Sequence, residues 1–203
     1  MEHVAFDLSD LRRRALDLAG YLDLMERQAA EPPAAAPPAE REHRAFVPLN
    51  LHRTRRILRT FTPPADLREL LAGLPPRVWL VVTEPWCGDS AQCLPYIARL
   101  AEAAPAVELL LVLRDSHPAV MDRLLTDGKR SIPVLAALDG DGRLHWRWGP
   151  RPAAAQAVFD AARAEGLPRE KILERLHLWY GRDRGRALLE ELTAAIRRDA
   201  GMS

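Results

Sequence analysis

The residue best placed to do chemistry in this 203-residue chain is a cysteine, Cys87, at the junction of two predicted elements. The preceding run RVWLVVT, residues 77–83, is nearly all apolar and rich in β-branched residues, which is typical of a strand buried on both faces. The following run DSAQCLPYIARLAEAA, residues 89–104, predicts a helix. We therefore expect an exposed thiol that faces the unpaired N–H groups of a helix start, a position that favours the thiolate needed to attack a disulfide.

The three residues after Cys87 suit a helix start but act on the thiol in opposite directions. Gly88 permits close approach of a substrate backbone. Ser90 favours the helix start, and its hydroxyl is placed to donate a hydrogen bond to a Cys87 thiolate. Asp89 also suits a helix start, but a carboxylate near the sulfur raises the pKa of the thiol. The sequence leaves the net direction of that pKa shift open.

The segment TEPWCGDS, residues 83–90, resembles the active-site segment of the thioredoxins, whose pattern is Trp-Cys-Gly-Pro-Cys. Three of its residues match that pattern directly: Trp86, Cys87 and Gly88. Further matches at the family's spacings are a helix-kinking proline, the pair at the cis-proline and a late glycine: Pro95, Ile132-Pro133 and Gly149. The longer strings TEPWCGDSAQ and WGPRP also resemble a poorly characterised bacterial thioredoxin-like family that has a helical N-terminal extension.

The resemblance implies an α/β thioredoxin-like fold, a central mixed sheet flanked by helices, over residues 77 to about 166. It also implies a cis peptide bond before Pro133, with the Ile132 backbone beside Cys87 and ready to pair with an extended, thiol-containing peptide. The candidate catalytic residues are accordingly Cys87 and Ser90. The candidate substrate-binding residues are Trp86, Gly88, Asp89, Ile132, Pro133 and Gly149.

Two departures from the family remove its usual reaction cycle. Thioredoxins carry a second, resolving cysteine where this chain has Ser90, and a buried acid where it has Val81. Cys93 lies six residues after Cys87, about 9 Å further along a helix and on another face, so a disulfide would require unwinding and we expect Cys93 in the core. The prediction is a monothiol thiol–disulfide oxidoreductase. Its Cys87 attacks a protein disulfide or a mixed disulfide, and an external low-molecular-weight thiol releases it.

Two other functions remain open. A redox-inactive thioredoxin-fold module would bind a peptide or protein client through the Pro133 surface, with the Cys87 pKa near its ordinary value of about 8.5. A glutaredoxin-like iron–sulfur role would use the Cys-Gly-x-Ser pattern, but it requires a dimer with glutathione as co-ligand, and the tryptophan before Cys87 argues against it. We expect no cofactor.

Composition and charge restrict the partners. The chain has 29 lysines and arginines against 28 acidic residues, which gives no long-range attraction to nucleic acid or membrane. No apolar run has the length of a signal peptide or a membrane span, and two cysteines do not make the disulfide framework of a secreted protein. We therefore expect a cytoplasmic protein of cell redox homeostasis. Its six histidines show no spacing suited to a metal site.

The rest of the chain must position this site, and we expect three parts. Residues 1–62 form a helical extension with a proline-rich linker at 31–40. Residues 63–166 form the thioredoxin-like domain, in the order β-α-β-α-β-β-α. Residues 167–203 form a C-terminal helical extension packed on that domain.

Three helices are predicted from apolar spacing and end signals. Apolar residues recur every three or four positions from residue 8 to 25, which predicts one helix to about residue 30. Its stripe packs on the domain or on a second copy as a homodimer. The run LNLHRTRRILRTF predicts a second helix with a solvated basic side, and the run HPAVMDRLLTDG predicts a third, closed by Gly128.

Overall fold

The computed structural model describes residues 5–201 and contains a four-stranded mixed sheet. Its strands are β1 (Arg77–Thr83), β2 (Val107–Leu113), β3 (Val134–Leu138) and β4 (Leu144–Trp148), in the spatial order β2-β1-β3-β4. β1 is parallel to β2 and antiparallel to β3, and β4 pairs antiparallel with β3 at the edge. The expected central mixed sheet of a thioredoxin-like α/β fold is present.

Helices flank this sheet and extend beyond it at both ends of the chain. In chain order they are α1 (Leu8–Arg14), α2 (Leu18–Ala30), α3 (Arg41–Arg44), α4 (Val47–Thr60), α5 (Ala65–Ala72), α6 (Gly88–Glu102), α7 (Pro118–Met121), α8 (Ala153–Ala164), α9 (Arg169–Asp183) and α10 (Arg186–Asp199). The proline-rich segment 31–40 holds two short 3₁₀ turns. Among the described residues, no helix is both long enough and apolar enough to cross a membrane.

Alternate residues of the strands face two separate cores. Trp79 and Val81 of β1 belong to one core, which α2, α4, α6, α9 and α10 cover. Leu80 and Val82 belong to the other, which α1 and the segment around α7 cover. This two-residue alternation explains why the apolar run is buried on both faces. The C-terminal helices contribute five residues to the first core: Leu176, Tyr180, Leu188, Leu192 and Ile196.

The single N-terminal helix expected up to residue 30 is wrong, because the chain breaks between α1 and α2. Leu16 pairs with Leu111 of the edge strand β2 through two backbone hydrogen bonds of 2.8 and 2.9 Å. Asp17 then caps α2, where its side chain accepts from the Gly20 N–H at 2.7 Å. As a result, α1 packs on one face of the sheet and α2 on the other. The predicted stripe is divided and packs within its own chain, so it gives no support for a homodimer.

The helix expected to close at Gly128 is also shorter than predicted. α7 ends at Met121, and Thr126 and Lys129 exchange two backbone hydrogen bonds across a tight turn. Asp127 and Gly128, inside this turn, have φ of +50° and +72°, a left-handed conformation that does not continue a helix. The turn leaves Lys129 exposed.

Candidate active site

Cys87 occupies the N-cap of α6, shortly after β1 ends at Thr83. Its backbone N–H donates to the Glu84 carbonyl at 3.0 Å, which turns the chain from the strand into the helix. Its Sγ accepts a hydrogen bond from the Ser90 N–H at 3.4 Å. Sulfur therefore takes the place of the side-chain oxygen that usually caps a helix, and a negative charge on it faces the positive end of α6.

The loop before β3 brings the Ile132 backbone against the same sulfur. The Cys87 thiol donates to the Ile132 carbonyl at 3.4 Å, and the peptide bond between Ile132 and Pro133 is cis. Gly149, just after β4, packs on Pro133: a Cβ there would lie 2.2 Å from the Pro133 carbonyl oxygen, and φ is +124°. Only glycine fits this approach. Three of the residues predicted for the substrate surface, Ile132, Pro133 and Gly149, thus lie together beside Cys87.

The expectation of an exposed thiol is wrong, since Cys87 is only 8% exposed. Burial, followed by the nearby Asp89 carboxylate, raises the pKa of Cys87 to about 11, although hydrogen bonding by Ser90 acts in the opposite direction. The direction that the sequence left open is therefore upward. Cys87 is a protonated thiol at neutral pH.

Asp89 is a buried carboxylate held by two other residues. Its Oδ2 accepts two hydrogen bonds from the Arg151 guanidinium, at 2.6 and 3.2 Å, and its Oδ1 accepts one from the Tyr180 hydroxyl at 2.6 Å. The side chains of Asp89 and Arg151 are 10% and 15% exposed, so water and salt screen the pair poorly. Both oxygens of Asp89, a predicted substrate-binding residue, are therefore engaged by protein donors, and its charge is fixed near the thiol.

Cys93 lies in the core, as expected, on the other side of this network. It is fully buried, and its thiol donates to the Tyr180 hydroxyl at 3.8 Å. Burial raises its pKa well above the ordinary value. Both cysteines are free. Within residues 5–201, no group of histidine, cysteine and acidic side chains is arranged to hold a metal ion.

The side chain of His177, from α9, covers the start of α6. A Cβ at Gly88 would lie 2.7 Å from two atoms of the imidazole ring, so glycine allows this contact. The imidazole Nε2 lies 3.3 Å from Arg53 Nη1, and burial together with nearby cations lowers the pKa of His177 to about 4. His177 is therefore neutral near pH 7 and accepts from Arg53.

Arg53 turns toward the site, although the basic side of α4 was expected to be solvated. The other cations of α4 are exposed, whereas Arg53 is half-buried. Its Nη1 donates to Asn50 Oδ1 at 3.2 Å, and Asn50 Nδ2 donates to the Pro85 carbonyl at 3.1 Å. α4 thus supports the segment before Cys87, while α9 covers the segment after it.

Trp86, which matches the thioredoxin pattern, is held between an imidazole and a guanidinium. The His43 ring stacks on it with centroids 4.1 Å apart, and the Arg114 guanidinium carbon lies 4.6 Å from its ring centroid. α3 and the loop after β2 therefore cover much of a side chain that the sequence assigned to substrate binding.

The sequence interpretation missed four of these residues. Arg151 is part of the WGPRP string, which was the available signal that it belongs with the CGDS segment. Asn50 is a polar residue among apolar positions of α4, which signals a buried hydrogen bond. His177 and Tyr180 lie on α9, where no local pattern sets them apart from ordinary surface and core residues.

Comparison with known proteins supports the thioredoxin-like fold. A family model described as thioredoxin matches residues 42–163, more than half of the chain. The chain therefore belongs to the thioredoxin family. Such a domain suggests a function of the thiol–disulfide oxidoreductase type. The matched residues include Cys87, Asp89, Pro133 and Arg151, whereas α1, α2, α9 and α10 lie outside them.

Two solved structures share the fold. One is a protein of unknown function from Pseudomonas aeruginosa, with 19% identity and a TM-score of 0.53 over 89% of this chain and 99% of the other. The second is an HIV epitope scaffold, with 20% identity and a TM-score of 0.54 over 97% of this chain and 96% of the other. The likeness in fold thus extends beyond the residues that the family model matches. No curated protein matches this sequence.

Proposed function

We propose that this protein is a monothiol thiol–disulfide oxidoreductase whose nucleophile is Cys87. The main support is the position of its sulfur, which lies 3.4 Å from the Ser90 nitrogen and 3.4 Å from the Ile132 carbonyl oxygen. The N–H donor supports a thiolate, and the Ile132 backbone beside Pro133 is suited to pair with an extended substrate. An incoming disulfide is thereby held next to the nucleophile.

The reaction consists of two thiol–disulfide exchanges on a mixed disulfide between a protein and a low-molecular-weight thiol. Cys87 first loses its proton to water, and the thiolate attacks the sulfur of the small thiol. The S–S bond of the substrate breaks, a new disulfide with Cys87 forms, and the protein sulfur leaves as a reduced thiolate. A second low-molecular-weight thiolate then attacks the small sulfur, forms a symmetric small disulfide and releases Cys87. In the net reaction one disulfide replaces another: the incoming small thiolate is oxidised, the protein sulfur is reduced, and Cys87 is regenerated.

An external thiol is needed because the chain offers no accessible resolving thiol. Cys93 is fully buried and bonded to Tyr180. Ser90 cannot form a disulfide, but its buried hydroxyl has no hydrogen-bond partner within residues 5–201 and is free to rotate toward a Cys87 thiolate. Two free thiols suit a reducing compartment, so we place the activity in the cytoplasm.

The high pKa of Cys87 makes it a slow nucleophile in the unliganded protein. A rise from 9.0 to about 11 lowers the thiolate fraction near neutral pH. The smaller thiolate fraction lowers the rate about 100-fold, while the greater basicity of the sulfur raises its intrinsic reactivity about tenfold. We therefore expect attack about tenfold slower than that of an ordinary exposed thiol.

The test is the release of glutathione from a glutathionylated peptide, with free glutathione as the reductant. We expect Cys87→Ser to lower the enzyme-dependent rate at least about 100-fold, because the nucleophile is lost. Cys93→Ser is the matched control, and its rate should stay within about threefold of wild type. Mass spectrometry should find a single glutathione adduct, on Cys87. Equal turnover by wild type and Cys87→Ser would refute the proposal.

A redox-inactive binding module is the second candidate, and the burial of Cys87 favours it. The Cys87 pKa of about 11, however, differs from the ordinary value expected of such a module. In that case the Pro133 surface binds an extended client and the sulfur is only a helix cap. The same variants separate the two functions. Client binding that survives Cys87→Ser, together with no turnover in wild type, would decide for the module.

A further inference from the structure

We infer that a cleft beside Cys87 binds the charged end of a small anionic thiol; this inference rests on the proposed function of Cys87. The cleft has a volume of about 630 Å³ and is lined by the turn at 126–129, the end of β4 and the start of α8. That volume is typical of sites for small ligands. This volume assigns a small molecule as the occupant. The charge of the cleft, described below, assigns that molecule at least one carboxylate.

Two lining residues connect the cleft to the thiol. Ser131 lines the cleft and precedes Ile132, whose carbonyl accepts from the Cys87 thiol. Arg151 also lines it, and its guanidinium binds Asp89, two residues after Cys87. Cys87 itself does not line the cleft, so a small thiol bonded to its sulfur must extend past Ile132 or Asp89 for its charged end to enter the cleft.

The cleft presents positive charge that the described part of the protein leaves available. Lys129 and Arg163 are exposed, and neither forms an ion pair within residues 5–201. Arg147 donates to the Leu125 carbonyl and to the Thr126 hydroxyl, both at 2.6 Å. These neutral acceptors orient the guanidinium without cancelling its charge, so it is preorganised for an anion.

Two acidic residues also line the cleft, and they do not cancel these cations. Glu191 already accepts from Trp148 Nε1 at 2.6 Å and from the Ala153 N–H at 2.7 Å. Asp127 is exposed on the turn. Because Arg151 is neutralised by Asp89, three cations face two acids and the cleft has a net positive charge. A carboxylate of a small thiol is attracted to it, whereas a cationic thiol is not.

The first test compares an anionic with a neutral disulfide as oxidants of Cys87. The probes are glutathione disulfide and bis(2-hydroxyethyl) disulfide, and the readout is the rate at which the mixed disulfide with Cys87 forms. In the double variant Lys129→Gln/Arg163→Gln, we expect the rate with the anionic probe to fall about tenfold and the rate with the neutral probe to stay within about twofold. The matched control Arg169→Gln/Lys171→Gln removes the same charge from exposed positions of α9 and should leave both rates within about twofold.

The second test measures binding without thiol chemistry. S-methylglutathione is titrated into Cys87→Ser by calorimetry, and the cleft double variant in that background should raise Kd about tenfold. Equal slowing of both disulfides, or a Kd that the cleft variant leaves unchanged, would overturn the inference while leaving Cys87 as a nucleophile. Binding that depends on the cleft, with no adduct on Cys87 from either disulfide, would instead refute the proposed function and retain the cleft as a binding site.

Discussion

Cys87 and Cys93 lie six residues apart on one helix, and both are buried, yet their sulfurs have different surroundings. Cys87, at the N-cap, contacts backbone groups: the Ser90 N–H and the Ile132 carbonyl. Cys93, inside the helix, has no free backbone donor nearby, and its thiol donates to the Tyr180 hydroxyl. Backbone N–H groups are unpaired only at a helix start. Position along the helix, rather than burial, therefore separates the candidate nucleophile from the structural thiol.

The Asp89 carboxylate links the two thiols. Its charge contributes to the raised pKa of both Cys87 and Cys93, after burial in each case. Tyr180 donates to Asp89 and accepts from Cys93, so the two sulfurs share one buried polar network. A change at Asp89 is therefore expected to alter the pKa of both thiols. Position along the helix is expected to decide which of the two thiols reacts.

The largest expected difference between the thiols appears when the pH is raised. Since the Cys87 pKa is about 11, its alkylation by iodoacetamide should accelerate about tenfold per unit from pH 7 to 10, about 1,000-fold in total. Cys93 should stay unmodified because it is fully buried. Timed alkylation followed by peptide mass spectrometry measures both sites in one sample. A Cys87 rate that levels off below pH 9 would mean that the helix start stabilises the thiolate more than burial opposes it.

The local part of this contrast could be predicted from the sequence. An apolar β-branched run followed by Cys-Gly-Asp-Ser places Cys87 at the start of a helix, because strand and capping signals both lie within a few residues. The position of Cys93 follows from the helical repeat. The exposure of Cys87 could not be predicted in this way, because Ile132, whose carbonyl contacts the sulfur, lies 45 positions away in the chain and reaches the site only through tertiary packing.

The N-terminal segment shows a second limit. Its apolar spacing continues from Ala15 to Leu18, although the chain between these residues leaves the helix and pairs Leu16 with the edge strand. Apolar spacing alone therefore did not reveal that α1 and α2 pack on opposite faces of the sheet. The pairing of Asp89 with Arg151 is similar: the two residues lie in separate strings, and only the fold brings their charges together.

The second largest effect is expected from opposite changes to the Asp89–Arg151 pair. Asp89→Asn removes the carboxylate that opposes the thiolate and leaves the Arg151 cation, so the Cys87 pKa should fall and alkylation at pH 7 should rise about tenfold or more. Arg151→Gln leaves the carboxylate unpaired, so the same rate should fall. Alkylation in the Cys93→Ser background reports Cys87 alone.

Stability measurements provide the control for this pair of variants. Each leaves one buried charge without its partner, so each should lose about 3–5 kcal/mol of unfolding free energy in urea titrations. Because both variants are destabilised, opposite changes in Cys87 reactivity can only be electrostatic. If both variants, made also with Cys93 intact, instead accelerate alkylation of Cys87 and Cys93 alike, local opening of α6 controls the thiols and the electrostatic account fails.

The smallest of these effects is expected at His177, which acts on access to Cys87 and not on its acidity. The imidazole contacts Gly88 and is neutral near pH 7, since its pKa is about 4. His177→Ala should therefore speed alkylation of Cys87 about threefold to tenfold at every pH, because a covering side chain is removed while the charge nearby stays the same. Cys93 should remain unmodified.

The neighbouring variant Leu178→Ala is the matched control, because Leu178 is on the same helix but 54% exposed. It should leave the Cys87 rate unchanged. The shape of the pH profile separates the two roles that His177 can have. A parallel upward displacement in His177→Ala identifies a cover over the thiol, whereas a profile that moves along the pH axis would show that the imidazole sets the Cys87 pKa. In that second case, helix position and the Asp89 charge would not be sufficient to distinguish the two thiols.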